Sequence, residues 1–202
     1  MPEMNHTTWK ITGRTMADIL PEDWREQLAS RLGQRPRRIG ILAELALYGA
    51  LDCLASANET TLPKDDVLRV CSLRGPTSAI SQVLKQIQQD LPMPFSFLQS
   101  QTSQILPALA QALNWQGDAA VIVARDAMAL ATLSALQAGA NGILLGWVEE
   151  AEPCQSFWLR LVPCELPVEK FMLASSFDDL ISLATRYWRI TSGNGNIFCM
   201  EL

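Results

Sequence analysis

An α/β fold, with a mainly parallel sheet covered by helices on both faces, is predicted by three features of this sequence of 202 residues. Short apolar segments of strand length alternate with longer segments of helical spacing, which is the order expected of βαβ units. Residues 119–123 and 142–148 are apolar almost without interruption, as are strands that are buried on both faces of a sheet. A short polar loop joins residues 142–148 to residues 157–162, and this predicts a C-terminal antiparallel β-hairpin.

The boundaries of the elements follow from local signals. Pro21 and the two acids after it open the first helix, since proline fits the first helical turn and acids favour the positive helix end. Gly33 closes that helix and Gly13 closes the first strand, while Pro107 either bends a later helix or marks its start. The predicted strands lie at residues 9–12, 66–72, 119–123, 142–148, 157–162 and 197–200. The predicted helices lie at residues 21–32, 39–57, 77–89, 100–115, 126–138 and 177–187.

The composition predicts one domain over residues 1–202, because domains commonly contain about 100 to 200 residues. Hydrophobic residues make up 49% of the chain, which excludes intrinsic disorder. No segment reaches the roughly 18 uncharged apolar residues that a membrane span needs. The net charge of −5 disfavours nucleic acid as the main partner. The polar N-terminus and the five cysteines, which form no CxxC pair, favour reduced thiols in the cytoplasm.

Histidine chemistry is disfavoured, because the sequence has a single histidine, His6, in a polar N-terminal segment. A catalytic relay or a histidine-rich metal site would have to use that residue, so neither a metal nor another cofactor is expected. Cys71 is the one candidate nucleophile: it ends a predicted strand just before a Gly-Pro turn, and Arg69 or Arg74 could lower its pKa. The alternative is a buried cysteine that packs as a small hydrophobe, and the lack of a histidine base favours this alternative.

Four short motifs occur in an order that resembles a known family. They are Arg35-Pro36-Arg37-Arg38 before an alanine-rich helix, Val70-Cys71-Ser72-Leu73-Arg74-Gly75, Leu91-Pro92-Met93-Pro94-Phe95-Ser96 and Asn114-Trp115-Gln116-Gly117-Asp118. The sequence resembles the ketosynthase-like N-terminal-domain family, truncated relatives of β-ketoacyl-[acyl carrier protein] synthases in fatty-acid-like and polyketide pathways, including those that make aryl polyenes. The resemblance covers roughly residues 8–190 and implies one half of a thiolase-type fold.

The catalytic residues of ketosynthases are missing from the corresponding positions. A ketosynthase carries its nucleophilic cysteine at the start of the helix after the strand that corresponds to residues 119–123. Here residues 122–128 contain no cysteine, serine or threonine. Residues 97–100, where the family often has a histidine, are Phe-Leu-Gln-Ser, and the two activating histidines belong to the half of the fold outside the resemblance. The resemblance therefore implies an accessory protein that lacks the condensing machinery of ketosynthases.

Two groups of charged residues are candidate binding sites. Arg35, Arg37 and Arg38 form the densest positive patch of an acidic protein. Guanidinium groups suit an acyl carrier protein, which is acidic and carries a phosphopantetheine phosphate. The same arginines could instead be solvated residues of the loop that enters a helix. Arg125 and Asp126 interrupt an apolar strand-to-helix junction: Asp126 fits a helix N-cap paired with Arg125, or the two residues face a binding pocket.

Three functions are compatible with these features. The first is an accessory ketosynthase-like protein that binds an acyl carrier protein or an acyl chain. It would form a homodimer or a heterodimer with a full-length ketosynthase, because in thiolase-type folds the strand corresponding to residues 119–123 lies along the dimer interface. The second is an acyltransferase or thioesterase-like enzyme that uses Cys71. The third is a binding module for an acyl or aromatic small molecule, with no carrier protein.

Overall fold

The structure is a computed structural model, which describes most of the first 164 residues and three short strands beyond them. The described residues are 7–17, 20–91, 93–125, 127, 130–131, 134–135, 141–164, 172–174, 187–190 and 197–200. The strands are β1 (Thr7–Ala17), β2 (Val67–Ser72), β3 (Asp118–Val123), β4 (Ile143–Glu149), β5 (Gln155–Cys164), β6 (Met172–Ala174), β7 (Tyr187–Ile190) and β8 (Ile197–Met200). The continuous helices are α1 (Trp24–Leu32), α2 (Ile41–Ser56), α3 (Thr77–Gln88), α4 (Pro94–Gln99) and α5 (Ile105–Ala112), with a 3-10 turn at Thr102–Gln104.

The eight described strands belong to one sheet, in the order β3-β2-β4-β5-β1-β7-β8-β6. β2 pairs in parallel with both β3 and β4, whereas β5 pairs in antiparallel fashion with both β4 and β1. Four of the five strands β1 to β5 therefore point in one direction, as predicted, and β4 and β5 form the predicted hairpin. Beyond β1 the sheet is extended by the antiparallel strands β7, β8 and β6, so the sheet as a whole is mixed.

Helices cover both faces of the sheet, as predicted. On one face α2 packs over β1, β4 and β5 and contributes Leu45 and Leu54 to the larger core. On the other face the helical residues Ala127, Ala131 and Ala135 are fully buried in a second core with side chains of β2 and β4. The α/β layering is therefore that of a sheet enclosed between two helical layers.

The first strand is longer than predicted. β1 continues through Gly13 to Ala17, with a shift of its register against β5 between Ile11 and Gly13. A Cβ atom at Gly13 would lie 2.8 Å from the Cβ of Ala57, just after the end of α2. The prediction that Gly13 closes the strand is wrong, because this glycine instead allows the helix end to approach the strand closely.

The helix boundaries predicted near the prolines and at Tyr187 differ in how well they agree with the structure. Pro107 lies in the first turn of α5, so it marks the start of that helix and does not bend it. Pro94 begins α4, a helix that the sequence does not predict, because neighbouring prolines indicate a break as readily as a helix start. Tyr187 begins β7 and does not end a helix. The rest of the predicted helix 177–187 lies outside the described residues, as do several residues of the predicted helix 126–138.

β3 is less buried than its apolar sequence predicts. It is the edge strand of the sheet, its residues 119–122 are half-buried, and Val123 is 44% exposed. A continuous apolar segment indicates a buried strand, but it does not show whether the strand lies at the centre of the sheet or at its edge. In the part of the chain that the structure describes, no strand pairs with the outer edge of β3.

The indole of Trp158 fills the space between α2 and the sheet. This side chain is fully buried, and its Nε1 donates a hydrogen bond to Oγ of Ser156 at 3.1 Å. The Ser156 hydroxyl donates in turn to the carbonyl of Leu45 in α2 at 2.8 Å. Gly49 of α2 and Gly146 of β4 face the ring, and a Cβ atom at Gly146 would lie only 2.5 Å from the ring atom Cε2. One tryptophan and two glycines thus set the distance between α2 and the sheet.

Arg160 of β5 forms an ion pair in which both side chains are buried. Its Nη2 lies 2.5 Å from Oδ2 of Asp66, and each of these side chains is 3% exposed. Its Nε lies 2.8 Å from Oε2 of Glu59, which is more accessible. Burial raises the pKa of Asp66, and the Arg160 guanidinium opposes that rise. The pair ties the start of β2 to the middle of β5.

We expect Arg160→Met to lower the free energy of unfolding by about 3 kcal/mol near neutral pH, because the Asp66 carboxylate stays buried without its partner. Urea unfolding followed by tryptophan fluorescence measures the loss. A triple variant that also carries Asp66→Asn and Glu59→Gln is expected to recover most of it, because no uncompensated charge remains.

The deficit of Arg160→Met should also shrink as the pH falls. Without Arg160 the pKa of Asp66 in the folded state rises further above its unfolded value, so protonation at low pH favours the folded state. A deficit that is equal at about pH 5 and about pH 7, or that the triple variant does not reduce, would contradict a buried ion pair.

Candidate functional site

A surface cleft of 720 Å³ opens beside the segment that carries the predicted arginines. Its volume lies within the range of roughly 300 to 1,000 Å³ that is typical of small-molecule sites. The lining comes from the end of α1, the loop before α2, α2 itself and α5. The polar lining residues are Arg31, Gln34, Arg35, Arg37 and Gln111, and the apolar ones are Leu32, Pro36, Ile39, Leu47, Ala108 and Ala112. We call this site the arginine cleft.

The structure separates the three arginines that the sequence groups together. Arg35 and Arg37 line the arginine cleft, whereas Arg38 does not. The backbone of Arg38 has a φ of 64°, in the left-handed region, and its guanidinium carbon lies 5.0 Å from the ring centroid of Phe95. All three arginines are exposed, and none of them has an acidic partner among the described residues.

Arg31 is the charged lining residue that the sequence analysis misses. It comes from the last turn of α1, and its Nη2 lies 2.6 Å from Oδ1 of Asp52. Its guanidinium also lies over the ring of Tyr48, 5.2 Å from the centroid. These two contacts hold Arg31 in one orientation at the edge of the cleft. Its position directly before the loop that carries Arg35 is the signal that could have identified it.

The second predicted group does not join the cleft. Arg125 is exposed in the turn after β3 and is not among the residues that line the arginine cleft. Asp126 lies outside the described residues, so its predicted role as a helix cap or pocket residue stays a prediction.

Cys71 lies in the core and not at an accessible site. The residue is fully buried in β2, and its Sγ donates to the carbonyl of Ala127 at 3.5 Å. Burial raises the pKa of the Cys71 thiol to about 12. A buried thiol that stays protonated is a poor nucleophile, so the geometry favours the packing interpretation over the catalytic one.

Two adjacent acids at the end of β4 organise the edge of the sheet where the parallel strands end. Glu149 is buried, and its carboxylate accepts hydrogen bonds from Oγ of Ser72 at 3.0 Å and from the backbone N–H of Leu73. Glu150 accepts from the backbone N–H of Leu42 at 2.9 Å and from that of Ser78 at 2.9 Å. A single carboxylate thus connects the N-terminal turns of α2 and α3, where negative charge is favoured. The sequence signal is a pair of acids directly after a buried strand.

The described part of the chain has no candidate metal site and no candidate membrane span. It contains no group of three or more histidine, cysteine or acidic side chains that could hold a metal ion. None of its helices combines the length and the apolar character needed to cross a membrane.

Comparison with known proteins gives matches at the level of structure. No family model and no curated protein sequence matches this chain. The ketosynthase ApeO in complex with its chain length factor ApeC, from Xenorhabdus doucetiae, is 15% identical over 97% of this chain and 98% of that chain, with a TM-score of 0.58. A type II polyketide acyl carrier protein in complex with its hexaketide-bound ketosynthase (AntDE:AntF) is 13% identical over 83% of this chain and 68% of that chain, with a TM-score of 0.63.

A third similar structure, the ishigamide ketosynthase/chain length factor, is 11% identical over 78% of this chain, with a TM-score of 0.58. This chain spans 59% of the length of that one. The three likenesses show that the chain has the fold of ketosynthases and chain length factors, which confirms the resemblance found in the sequence at the level of the fold.

We expect Cys71 to resist alkylation in the folded protein. At about pH 8, a thiol with a pKa of about 12 has on the order of one thiolate in ten thousand molecules, and its burial also excludes the reagent. Iodoacetamide should therefore modify Cys71 at least about a hundredfold more slowly in the folded than in the urea-unfolded protein, as measured by peptide mass spectrometry. The half-buried Cys154 provides the internal control, because it is more accessible.

The variant Cys71→Ala tests the packing interpretation by substitution. It should remain folded at a cost of about 1 kcal/mol, because alanine keeps the site apolar and leaves only a small cavity. Alkylation of Cys71 in the folded protein as rapid as that of Cys154 would contradict the packing interpretation.

Proposed function

We propose that this chain is an accessory, non-catalytic ketosynthase-like subunit of a cytoplasmic fatty-acid or polyketide-type pathway, of the kind that makes aryl polyenes. One observation carries the proposal: the similarity to the ketosynthase and chain length factor complex extends over 97% of this chain and 98% of that chain. This chain is thus comparable in length with a single chain of a two-protein assembly. The lack of a nucleophile in residues 122–128 and the burial of Cys71 support a role without catalysis.

In this proposal the chain forms a homodimer or a heterodimer with a full-length ketosynthase, and β3 lies at the interface. An open strand edge presents unpaired backbone N–H and C=O groups that another strand can bind. Apolar side chains are also exposed on the helices α3 and α4, and exposed apolar patches are typical of interfaces. These exposed side chains are Ile80, Leu84, Ile87, Phe95, Phe97 and Leu98.

The proposed second partner is an acyl carrier protein, bound through Arg35, Arg37 and Arg38. Support comes from charge: these arginines are exposed and have no acidic partner among the described residues, so their charge is available to an acidic protein. The chain as a whole carries a net charge of −5, so attraction of an acidic partner depends on this local cluster.

We expect light scattering to give a mass of about 45 kDa for the protein alone, twice the 22.3 kDa of one chain, or a one-to-one complex with a full-length ketosynthase. Val123→Lys should shift the protein toward the monomer, because Val123 is 44% exposed on the edge strand and a charged side chain there opposes strand pairing. Thr61→Lys, which adds the same charge in an exposed loop, is the matched control and should assemble as the unmodified protein does.

The melting temperatures of both variants, measured by circular dichroism, show whether the lysine substitution alters assembly without altering folding. A stable monomer that binds no candidate ketosynthase, or a Val123→Lys variant that assembles normally, would argue decisively against the interface at β3.

We expect the replacement of Arg35, Arg37 and Arg38 by serine to slow carrier association and to flatten its dependence on salt. The attraction acts over a Debye length of about 8 Å at physiological ionic strength, so added salt screens it. Stability should stay within about 1 kcal/mol, because exposed charges contribute little to it. A titration at low and high salt makes the measurement, and equal carrier affinity of variant and unmodified protein at every salt concentration would contradict the docking proposal.

A further inference from the structure

We propose that the arginine cleft binds a small organic phosphate, a phosphate monoester attached to a short apolar group. This proposal goes beyond the docking of a carrier protein, because the ligand is a free small molecule that occupies the cleft itself. The two proposals can fail separately, since cleft binding is measured without any carrier protein.

The charge of the cleft selects a dianion. Three guanidinium groups line it, from Arg31, Arg35 and Arg37. One carboxylate, that of Asp52, is bound to Arg31 at 2.6 Å, and no acidic residue lines the cleft itself. Three positive charges and one negative charge leave a net charge of about +2. A phosphate monoester carries about −1.5 to −2 at neutral pH, whereas a carboxylate carries only −1.

The donor groups of the cleft suit the same ligand. A guanidinium presents its N–H groups in a planar fork that matches phosphate oxygens. Arg31 is already held by Asp52 and by the ring of Tyr48, so little side-chain freedom is lost when it binds. Gln34 and Gln111 add amide groups that can complete the hydrogen bonds around a phosphate.

The apolar part of the lining explains why an organic phosphate is favoured over inorganic phosphate. Leu47 of α2 is buried and belongs to the larger core, and Leu32, Ile39, Ala108 and Ala112 are partly buried against it. These side chains give the cleft an apolar floor beneath its charged walls. A short hydrocarbon group on the phosphate would cover this floor and displace water from it.

Isothermal titration of the unmodified protein with three probes tests the proposal. Hexyl phosphate carries both the phosphate and an apolar chain. Inorganic phosphate carries the phosphate without the chain, and hexanoate carries a chain with a single negative charge. Hexyl phosphate is expected to bind about tenfold more tightly than either of the others. Its affinity should fall as the pH is lowered below about 6, where the phosphate loses its second negative charge.

Two variants locate the site. Arg37→Gln should weaken the binding of hexyl phosphate about tenfold, because a charge-assisted contact is lost. The matched control Lys85→Gln removes one positive charge from the exposed surface of α3, outside the cleft lining, and should change the affinity by less than about twofold. Ala112→Phe should fill the apolar floor and abolish the preference for hexyl phosphate over inorganic phosphate.

Circular dichroism spectra and melting temperatures of all three variants exclude a general loss of folding. Equal binding of the three probes, an unchanged affinity in Arg37→Gln, or equal losses in Arg37→Gln and Lys85→Gln would overturn the proposal. The expected order of probes, with a loss in Arg37→Gln but not in Lys85→Gln and a lost preference in Ala112→Phe, would support it.

Discussion

The position of α2 on the sheet depends on the indole of Trp158. This side chain lies between the helix and β4, and it fits only because Gly49 and Gly146 present no side chain to its two sides. Its Nε1 is satisfied by Ser156, whose hydroxyl also donates to a carbonyl of α2, so no polar atom of this contact is left without a partner. A larger residue at either glycine would push the helix outward, and close-packed interiors accommodate such shifts poorly.

The arginine cleft is a consequence of that position. Its floor is Leu47, two residues before Gly49 in α2, and its walls come from α5 and from the loop between α1 and α2. The N-terminal end of α2 is fixed independently, because Glu150 accepts a hydrogen bond from Leu42 and another from Ser78 of α3. Since the start and the middle of α2 are both held by contacts to the β4–β5 hairpin, one wall of the cleft is a well-anchored helix, whereas Arg35 and Arg37 lie on a loop.

Local signals in the sequence predict the helices and strands well, but they predict poorly which distant segments pack against them. Gly33, which adopts a φ of 71°, ends α1 where the sequence places the helix end, because this conformation is intrinsic to glycine. Gly13 is the contrary case, since its role depends on a helix end more than forty residues away in the chain.

Contacts between distant segments also explain why the sequence shows the arginines as a positive cluster but does not show the cleft. Arg31 and Ala108 become neighbours of that cluster only when α1 and α5 pack against α2. The burial of Cys71 likewise depends on a helical segment that covers it, and a strand sequence alone does not show this.

The net charge of the chain and the charge of its cleft act over different distances. At physiological ionic strength, charges separated by more than about 8 Å are largely screened from one another, so the net charge of −5 has little effect on a group that already touches the cleft. A bound anion is therefore governed by the guanidinium groups within contact, and Asp52 is the acid that reduces their charge most directly, because it is bound to Arg31. During approach, by contrast, the proposed acidic partner would meet the overall negative charge first, and the exposed cluster Arg35, Arg37 and Arg38 would attract it from one side. A positive cluster on an acidic protein thus orients an acidic partner more than it attracts it, as the proposed docking of a carrier protein requires.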